Sequence, residues 1–245
     1  MPDKKVAIIT GASRGIGAAA SERLAKDGFN ILINYSSADP KDADLVAESV
    51  RATGMEARIC RGDVADPKTA KDMFDQAETE FGGVDVLVNN AGIMKLANLA
   101  DVSDEVFDRH IAINLKGAFN FMREAAKRMR NGGRVVNIST SVVGTKFETY
   151  GVYAATKAAL ELMTQIMSKE MRGRNISVNA VAPGPTATKL FLDGKSPELL
   201  DRIAKLNPFE RIGTPEEIVD VIGFLCSPSG AWVNGQIIRV NGGMI

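Results

Sequence analysis

The sequence predicts a doubly wound α/β fold, in which a seven-stranded parallel sheet is covered by helices on both faces. Short apolar runs rich in β-branched residues alternate with longer segments of helical periodicity, as in consecutive βαβ units. The strand-like runs are apolar throughout, which is typical of strands buried on both faces. No internal repeat, low-complexity tract or linker interrupts this pattern, so we expect residues 1–245 to form a single domain.

The predicted elements follow one another in regular order. Strands are expected at residues 6–10, 30–34, 57–61, 84–88, 134–138, 177–181 and 236–240. Helices are expected near residues 15–27, 40–53, 67–81, 104–130, 153–172 and 215–226. The last helix begins with an N-cap, a proline and a capping-box glutamate in Thr214-Pro215-Glu216-Glu217. Residues 188–213 form a connection too long for an ordinary loop, and such connections often act as substrate lids.

Composition excludes several classes of protein. The 245 residues include 30 basic and 30 acidic side chains, so no global charge favours nucleic acid or an anionic membrane as a partner. Cys60 and Cys226 are too few for a disulfide framework or a zinc cluster. The single histidine, His110, argues against a histidine metal site or a Ser-His-Asp triad. Without a signal-peptide segment or a membrane-spanning run, we expect a cytoplasmic protein that has no metal site.

A glycine-rich turn joins the first predicted strand to the first helix. It reads Thr10-Gly11-Ala12-Ser13-Arg14-Gly15-Ile16-Gly17. Without a Cβ, the glycine backbone can turn sharply and approach a pyrophosphate, whose charge the N–H groups at the helix start would meet. A purely structural turn would show the same residues. The position at the first strand-to-helix junction, with a second strand following, favours nucleotide binding in a Rossmann-type fold.

The end of the second strand indicates which dinucleotide is expected. In dinucleotide folds, an acidic residue at this place binds the ribose 2′-hydroxyl and repels a 2′-phosphate. Here the strand ends in Tyr35-Ser36-Ser37, and no carboxylate follows until Asp39. Arg14 and Ser36 could bind a 2′-phosphate through charge-assisted hydrogen bonds, so we expect NADP(H) rather than NAD(H). The alternative is that Arg14 is solvated and that Asp39 folds back toward the ribose.

Tyr153 and Lys157 form the expected proton-transfer pair. At positions i and i+4 they lie on one face of a helix and are adjacent in space. A phenol has a pKa of about 10, which a neighbouring ammonium and an oxidised nicotinamide are expected to lower. Tyr153 would then act as general acid in ketone reduction or as general base in alcohol oxidation. An amphipathic helix with a surface lysine is the alternative.

The fifth predicted strand ends in three hydroxyl residues, Ser139-Thr140-Ser141. A hydroxyl here can hydrogen-bond the substrate oxygen and stabilise the charge that develops during hydride transfer. Asn114 lies inside a predicted helix, where asparagine competes for backbone hydrogen bonds. We interpret both features as functional; capping of a strand end and a purely structural asparagine are the alternatives.

The ordered motifs resemble those of the short-chain dehydrogenase/reductase family over essentially the whole chain. The resemblance is carried by the glycine turn, the Tyr153/Lys157 pair, Asn89-Asn90-Ala91-Gly92, Pro183-Gly184-Pro185-Thr186-Ala187-Thr188 and Asn241-Gly242-Gly243. It implies an NADP(H)-dependent oxidoreductase in which Asp63 and Val64 flank the adenine. It also implies that Asn114 holds a water linking the lysine to solvent. Thr188, with Thr186 as second choice, would bond the nicotinamide carboxamide.

The family's catalytic serine can be placed in two ways. The usual spacing to the tyrosine falls on Thr140, whereas Ser141-Val142-Val143-Gly144 matches the sequence that often follows this serine. We assign Ser141 and keep Thr140 as the alternative. The predicted catalytic residues are therefore Asn114, Ser141, Tyr153 and Lys157. The predicted cofactor-binding residues are Gly11, Ser13, Arg14, Gly15, Ile16, Gly17, Ser36, Asp63, Val64, Asn90, Ala91, Gly92, Tyr153, Lys157, Pro183, Gly184, Thr186 and Thr188.

Within the family, the sequence is similar to 3-oxoacyl-[acyl-carrier-protein] reductases, which implies reduction of a ketone to a secondary alcohol with NADPH. A sugar, polyol or steroid dehydrogenase is the alternative enzyme, and a nucleotide sensor without turnover is the alternative from another class. The intact Tyr153/Lys157 pair argues against a sensor. The expected pocket for a small carbonyl substrate comprises Met94, Lys95, Thr145, Phe147, Tyr150, Leu190, Phe191 and Leu192.

Two surfaces are predicted to bind macromolecular partners. Helices 104–130 and 153–172 are more apolar than one contact with the sheet requires, and the family pairs these helices, so a homotetramer is expected. The apolar residues concerned are Phe107, Ile111, Leu115, Ala118, Phe119, Met122, Ala125, Met129, Leu160, Met163, Met167 and Met171. Four arginines would either bind an acyl-carrier protein as a basic patch or remain solvated: Arg128, Arg130, Arg172 and Arg174.

Overall fold

The computed structural model describes residues 5–245 and contains a seven-stranded, all-parallel sheet in the order β3-β2-β1-β4-β5-β6-β7. The strands are β1 (Lys5–Ile9), β2 (Phe29–Tyr35), β3 (Ala57–Arg61), β4 (Val86–Asn89), β5 (Arg134–Ile138), β6 (Ser177–Pro183) and β7 (Ile237–Val240). The helices are α1 (Gly15–Lys26), α2 (Lys41–Ala52), α3 (Pro67–Phe81), α4 (Asp104–His110), α5 (Ala118–Arg128), α6 (Val142–Thr145), α7 (Gly151–Glu170), α8 (Lys189–Leu192), α9 (Pro197–Ala204) and α10 (Pro215–Cys226). The predicted fold class is confirmed.

The two faces of the sheet bury separate apolar clusters. Leu24 of α1 and Ile222 of α10 belong to the cluster on one face, which also includes α2. Phe74 of α3, Phe121 of α5 and Leu160 of α7 belong to the cluster on the other face. Each of these side chains is almost fully buried and contributes roughly 1.5–3 kcal/mol to folding. This two-sided burial explains why the strand sequences are continuously apolar.

The sheet order places a crevice at the carboxyl ends of the central strands. β1 pairs with β2 on one side and with β4 on the other, so the chain winds outward from β1 in both directions. The loops that follow β1 and β4 therefore separate and leave room between them. Ligands of open α/β sheets bind at such a reversal of strand order.

The segment predicted as one helix over residues 104–130 differs from the prediction. It consists of α4, a π-helical stretch (Ile111–Gly117) and α5, which ends at Arg128. Within the π-helical stretch, the Asn114 amide bonds both the N–H and the carbonyl of Ile93. We attribute the wider turn to this long-range pairing, which helical periodicity alone does not reveal.

The apolar faces of α5 and α7 also require a correction. Seven of the residues predicted to lie between subunits are buried in this chain's own core: Ala118, Met122, Ala125, Met129, Leu160, Met167 and Met171. The exposed large side chains here are Phe107, Phe119, Leu162 and Ile166. Packing in the chain's own core thus accounts for most of the apolar residues on these helices. Only the exposed side chains are available for contact with a partner subunit.

The predicted basic patch is largely internal. Arg128 pairs with Asp75, Glu78 and Glu124. Arg130 pairs with Asp85 and bonds the Phe81 carbonyl. Arg174 donates to the carbonyls of Ala126 and Met129. Of the four arginines, only Arg172 is exposed without such a partner among residues 5–245, so the expectation of a basic docking patch is corrected.

None of the helices within residues 5–245 is long and apolar enough to cross a lipid bilayer.

Candidate active site

The glycine turn after β1 is fixed against the loop after β4. Gly11 and Gly15 adopt positive φ values of 59° and 57°, which side chains disfavour. A Cβ on Gly11 would lie 2.8 Å from the Ala91 Cα. Asn90 Nδ2 donates to the carbonyls of Thr10 at 2.9 Å and Gly11 at 3.0 Å. These contacts hold the turn open with its backbone exposed to the crevice.

Helix α1 starts immediately after this turn and offers its first N–H groups to a ligand. Its N-cap residue, Arg14, is extended and makes no side-chain capping hydrogen bond. A Cβ on Gly17 would lie 2.5 Å from Asn90 Nδ2, so the turn and the helix pack with no spare room. An uncapped helix start beside a glycine cradle fits the pyrophosphate of a dinucleotide.

The predicted 2′-phosphate ligands are Arg14, in the glycine turn, and Ser36, which follows β2. Arg14 and Ser36 are exposed, and Arg14 has no ion pair within residues 5–245. Asp39 Oδ1 accepts a hydrogen bond from the Lys41 N–H at 3.0 Å, at the start of α2. The carboxylate is thus held at the start of that helix. The alternative, in which Asp39 folds back toward the ribose and repels a 2′-phosphate, does not occur in this conformation of the loop.

Asp63 and Val64 follow β3 on the same edge. Asp63 accepts hydrogen bonds from the Ala65 N–H at 3.0 Å and from Arg109 at 2.8 Å. Burial would raise the pKa of this carboxyl, but the two hydrogen bonds outweigh it and lower the pKa. Val64 is buried against Gly117, where a Cβ would lie 2.6 Å from the valine Cγ2. Asp63 also forms the turn that begins this loop.

The catalytic candidates meet where β5 ends beside α7. Tyr153 forms a hydrogen bond with the side chain of Thr140. Lys157 is buried, and its Nζ donates to the Ile138 carbonyl at 2.6 Å. A Cβ on Gly92 would lie 3.6 Å from this Nζ and 3.4 Å from Asn114 Oδ1. Residues of four separate elements therefore converge within a few ångströms.

The electrostatics of the pair differ from the prediction. Burial raises the pKa of the Tyr153 phenol to about 12, although the bond with Thr140 lowers it. Burial also lowers the pKa of the Lys157 ammonium to about 8. The expectation of a lowered tyrosine pKa is corrected for the protein's own groups, because loss of water outweighs the hydrogen bond with Thr140. The phenol is consequently held in its protonated form at neutral pH.

The three hydroxyls at the end of β5 have three different partners. Ser139 Oγ donates to Glu161 at 2.6 Å. Ser141 Oγ donates to the Ala182 carbonyl at 3.1 Å and accepts from Asn241 Nδ2 at 3.0 Å. Thr140 alone among the three bonds Tyr153. The assignment of Ser141 stays a prediction; this geometry favours the alternative, Thr140, because the Ser141 hydroxyl is bonded to β6 and the C-terminal segment.

Two side chains one helical turn apart hold the loop after β4. Asn114 bonds both backbone groups of Ile93, as described above. His110 is fully buried; its Nε2 accepts from the Lys95 N–H at 3.2 Å and its Nδ1 faces the Val106 carbonyl at 2.7 Å. Sequence reasoning used His110 only to exclude metal sites and missed this role. Its i, i+4 spacing to Asn114 was the signal available.

A cavity of about 780 Å³ opens from this centre. It contains Tyr153, Lys157 and all three β5 hydroxyls, and six predicted pocket residues: Met94, Thr145, Phe147, Tyr150, Leu190 and Phe191. Lys95 and Leu192 do not line it. Nine predicted cofactor residues do: Ile16, Asn90, Gly92, Tyr153, Lys157, Pro183, Gly184, Thr186 and Thr188. The others are part of the glycine turn, follow β2 or β3, or, like Ala91, pack against the turn.

The 188–213 segment forms the outer wall of the cavity. Thr188 caps α8 through the Phe191 N–H, and its Cγ2 would lie 3.3 Å from a Cβ on Gly15. Lys195 and Arg202 also line this wall, as does Met244 near the C-terminal end. No sequence pattern singled out these three residues.

Known proteins match this chain over nearly its whole length. Residues 11–245 match the family model described as enoyl-(acyl carrier protein) reductase. A short-chain type dehydrogenase/reductase of Picea abies is 45% identical over 98% of this chain and 92% of its own length. The chain belongs to the short-chain dehydrogenase/reductase family.

Other members of the short-chain dehydrogenase/reductase family bear names that specify a cofactor. The NADPH-dependent aldehyde reductase-like protein, chloroplastic, of Arabidopsis thaliana is 44% identical over 98% of this chain and 94% of its own. A short chain dehydrogenase from Burkholderia cenocepacia, solved in complex with NADP, superposes with a TM-score of 0.92 at 32% identity. That comparison covers 98% of this chain and 97% of the other. The family match accounts for the ordered motifs along the crevice.

Proposed function

We propose that this oxidoreductase is an NADP(H)-dependent carbonyl reductase that converts an aldehyde or ketone into the corresponding alcohol. The observation that carries the proposal is the Tyr153 phenol, hydrogen-bonded to Thr140 and adjacent to Lys157, inside a cavity that continues toward the glycine turn. When bound, NADPH would supply the hydride that adds to the carbonyl carbon. Tyr153 gives the proton that completes the alcohol.

The protonation states of the chain suit reduction. With a pKa of about 12, Tyr153 retains its proton at neutral pH and can donate it as the substrate oxygen gains charge. Thr140 bonds the phenol before substrate enters, and its one hydroxyl proton would be donated to the substrate oxygen once that oxygen is bound. Lys157 places a positive charge beside the tyrosinate that remains, and the Ile138 carbonyl fixes the position of that ammonium.

The preference for NADP(H) rests on the end of β2. Arg14 and Ser36 are exposed and unpaired by acidic groups, while Asp39 is occupied at the start of α2. A guanidinium and a hydroxyl provide donors for a 2′-phosphate. The relatives named for NADPH or solved with NADP support the same choice.

The substrate is a free carbonyl compound rather than a carrier-bound acyl chain. The cavity wall is mostly apolar, which suits a hydrophobic body next to the carbonyl. Three arginines of the predicted carrier patch are engaged within the chain, which removes the argument for an acyl-carrier protein. Oligomerisation through Phe119, Leu162 and Ile166 remains our proposal for the homotetramer, with the cytoplasmic location a prediction.

The test is a panel of aldehydes, ketones, sugars and 3-oxoacyl thioesters assayed with NADPH and NADH. We expect aldehydes or ketones to be reduced with NADPH at a kcat/KM about 100-fold above that with NADH. Arg14→Ala should remove most of this preference by raising the KM for NADPH alone. Activity restricted to thioesters, to sugars or to NADH would contradict the proposal.

A further inference from the structure

Charge is distributed unevenly around the cavity. Its charged lining residues are Lys146, Glu148, Lys157, Lys195 and Arg202. Lys157 serves Tyr153, so the proposed chemistry leaves the other cations without a role. Two of them lie on the 188–213 segment, and no acidic residue of that segment lines the cavity.

Arg202 is the free cation of helix α9. Leu199, Arg202, Ile203 and Leu206 line the cavity at the spacing i, i+3, i+4 and i+7, so one helical face turns toward it. Arg202 makes no hydrogen bond or ion pair with any residue from 5 to 245, whereas nearby Asp201 pairs with Lys205. The guanidinium of Arg202 thus lies among the aliphatic side chains Leu199, Ile203 and Leu206.

Lys195 is held beside the same wall. Its Nζ donates to the Phe191 carbonyl and lies 4.6 Å from the centre of the Phe191 ring. Burial lowers the pKa of this ammonium, against the opposing effect of Asp193. Glu148 on the facing wall forms no ion pair with either cation within the described chain. The outer wall therefore presents net positive charge to whatever occupies the apolar space.

We propose that Arg202, assisted by Lys195, binds an anionic group of the substrate, so that the preferred substrates are aldehydes or ketones with a carboxylate on an apolar body. This inference rests on the proposed carbonyl reduction and names its substrate class. The planar guanidinium can bind a carboxylate through two parallel hydrogen bonds, and the aliphatic neighbours reduce competition from water. The carbonyl end would then reach Tyr153 on the opposite side of the cavity.

The test compares 4-carboxybenzaldehyde with its methyl ester, two aldehydes that differ in charge at one end. We expect kcat/KM with NADPH to be about tenfold higher for the acid, since Arg202 is partly solvated. Arg202→Ala should lose this preference through a raised KM for the acid, and an unchanged thermal unfolding midpoint reports an intact fold. Arg202→Lys should restore part of the preference. The matched control is Lys205→Ala, which removes a cation beyond the end of the same helix that does not line the cavity.

Two outcomes overturn the inference while leaving carbonyl reduction intact. One is equal use of acid and ester by the unsubstituted enzyme. The other is an Arg202→Ala variant in which only the KM for NADPH rises, which would assign the guanidinium to a cofactor phosphate.

A binding measurement separates this inference from failure of the proposed function. Calorimetric titration with the alcohol product, 4-(hydroxymethyl)benzoate, should show about tenfold weaker binding to Arg202→Ala than to Lys205→Ala, whether or not turnover is seen. Equal affinities would overturn the inference by themselves. Absence of aldehyde reduction alongside the expected binding difference would overturn only the proposed reaction.

Discussion

The two walls of the cavity are built differently. The inner wall is formed by residues 138–141 and Lys157, which are buried, and by Tyr153, which is partly exposed to the cavity. Its polar atoms are paired: Thr140 with Tyr153, Lys157 with Ile138 and Ser141 with Asn241. The outer wall, formed by the 188–213 segment, has short helices, half-exposed side chains and the Arg202 guanidinium, which has no ion pair within residues 5–245. The difference teaches that the sheet holds the catalytic side chains rigidly. Substrate specificity depends instead on the 188–213 segment, whose residues can be substituted with little effect on the stability of the core.

The largest expected effect lies on the inner wall. Tyr153→Phe should lower kcat about 10³-fold, because the general acid is lost while the ring still fills its place. NADPH affinity, measured by fluorescence titration, should change less than about twofold. A comparable loss of kcat from any single substitution in the outer wall would break the comparison between the two walls.

Within the inner wall, two adjacent hydroxyls should separate chemistry from structure. Thr140→Ala should lower kcat about 100-fold because Tyr153 and the substrate oxygen lose a donor. Ser141→Ala should change kcat less than about threefold and instead cost about 1–2 kcal/mol of stability, because Asn241 and Ala182 lose their partner. Kinetics and urea unfolding of both variants decide this; the reverse pattern would restore Ser141 as the catalytic hydroxyl.

Two glycines with similar backbones sharpen the comparison further. Gly11 and Gly194 both have positive φ, but a Cβ on Gly11 meets the Ala91 backbone at 2.8 Å, whereas a Cβ on Gly194 meets nothing within 4 Å. Gly11→Ala should cost about 3 kcal/mol and abolish NADPH binding. Gly194→Ala should cost about 1 kcal/mol from backbone strain alone and leave NADPH binding intact. Thermal unfolding and NADPH titration measure both effects, and equal costs would contradict the proposed packing.

The most gradual expected effect, a slope with pH, compares two lysines that line the same cavity. The pKa of Lys157 falls from its ordinary 10.5 to about 8 on folding, so the unfolded chain binds more protons between these values. Stability contributed by this residue should therefore rise as pH increases from 8 to 10.5, by at most about 1.4 kcal/mol per pH unit. The free energy of unfolding of the wild type, relative to that of Lys157→Met, should therefore increase as the pH rises from 8 to 10.5. Lys195→Met should show a weaker dependence because Lys195 is only half-buried, and two equal slopes would contradict the contrast in burial.

The amino-acid sequence alone determined the fold class, the glycine turn and the Tyr153/Lys157 pair. These features depend on local properties: continuous apolar runs, backbone freedom at glycine and the i, i+4 spacing on a helix. The NADP(H) preference could also be predicted from the sequence, because it depends largely on which residues follow the second strand. Each of these patterns is expressed over a few neighbouring residues.

Tertiary structure decided what distant segments do to one another. It favours Thr140 over Ser141 because the Ser141 hydroxyl is bonded to β6 and Asn241. It pairs Arg128 of the predicted arginine patch with acidic residues of α3. It also places the side chains of Asn114 and His110 in hydrogen bonds with the loop after β4. It also raised the pKa of Tyr153, whose neighbour in sequence predicted the opposite, because burial depends on the whole packed chain. Arg202 became a candidate ligand only when α9 was placed over the cavity. Side-chain partners and loss of water arise from packing between elements remote in sequence, and no local pattern encodes them.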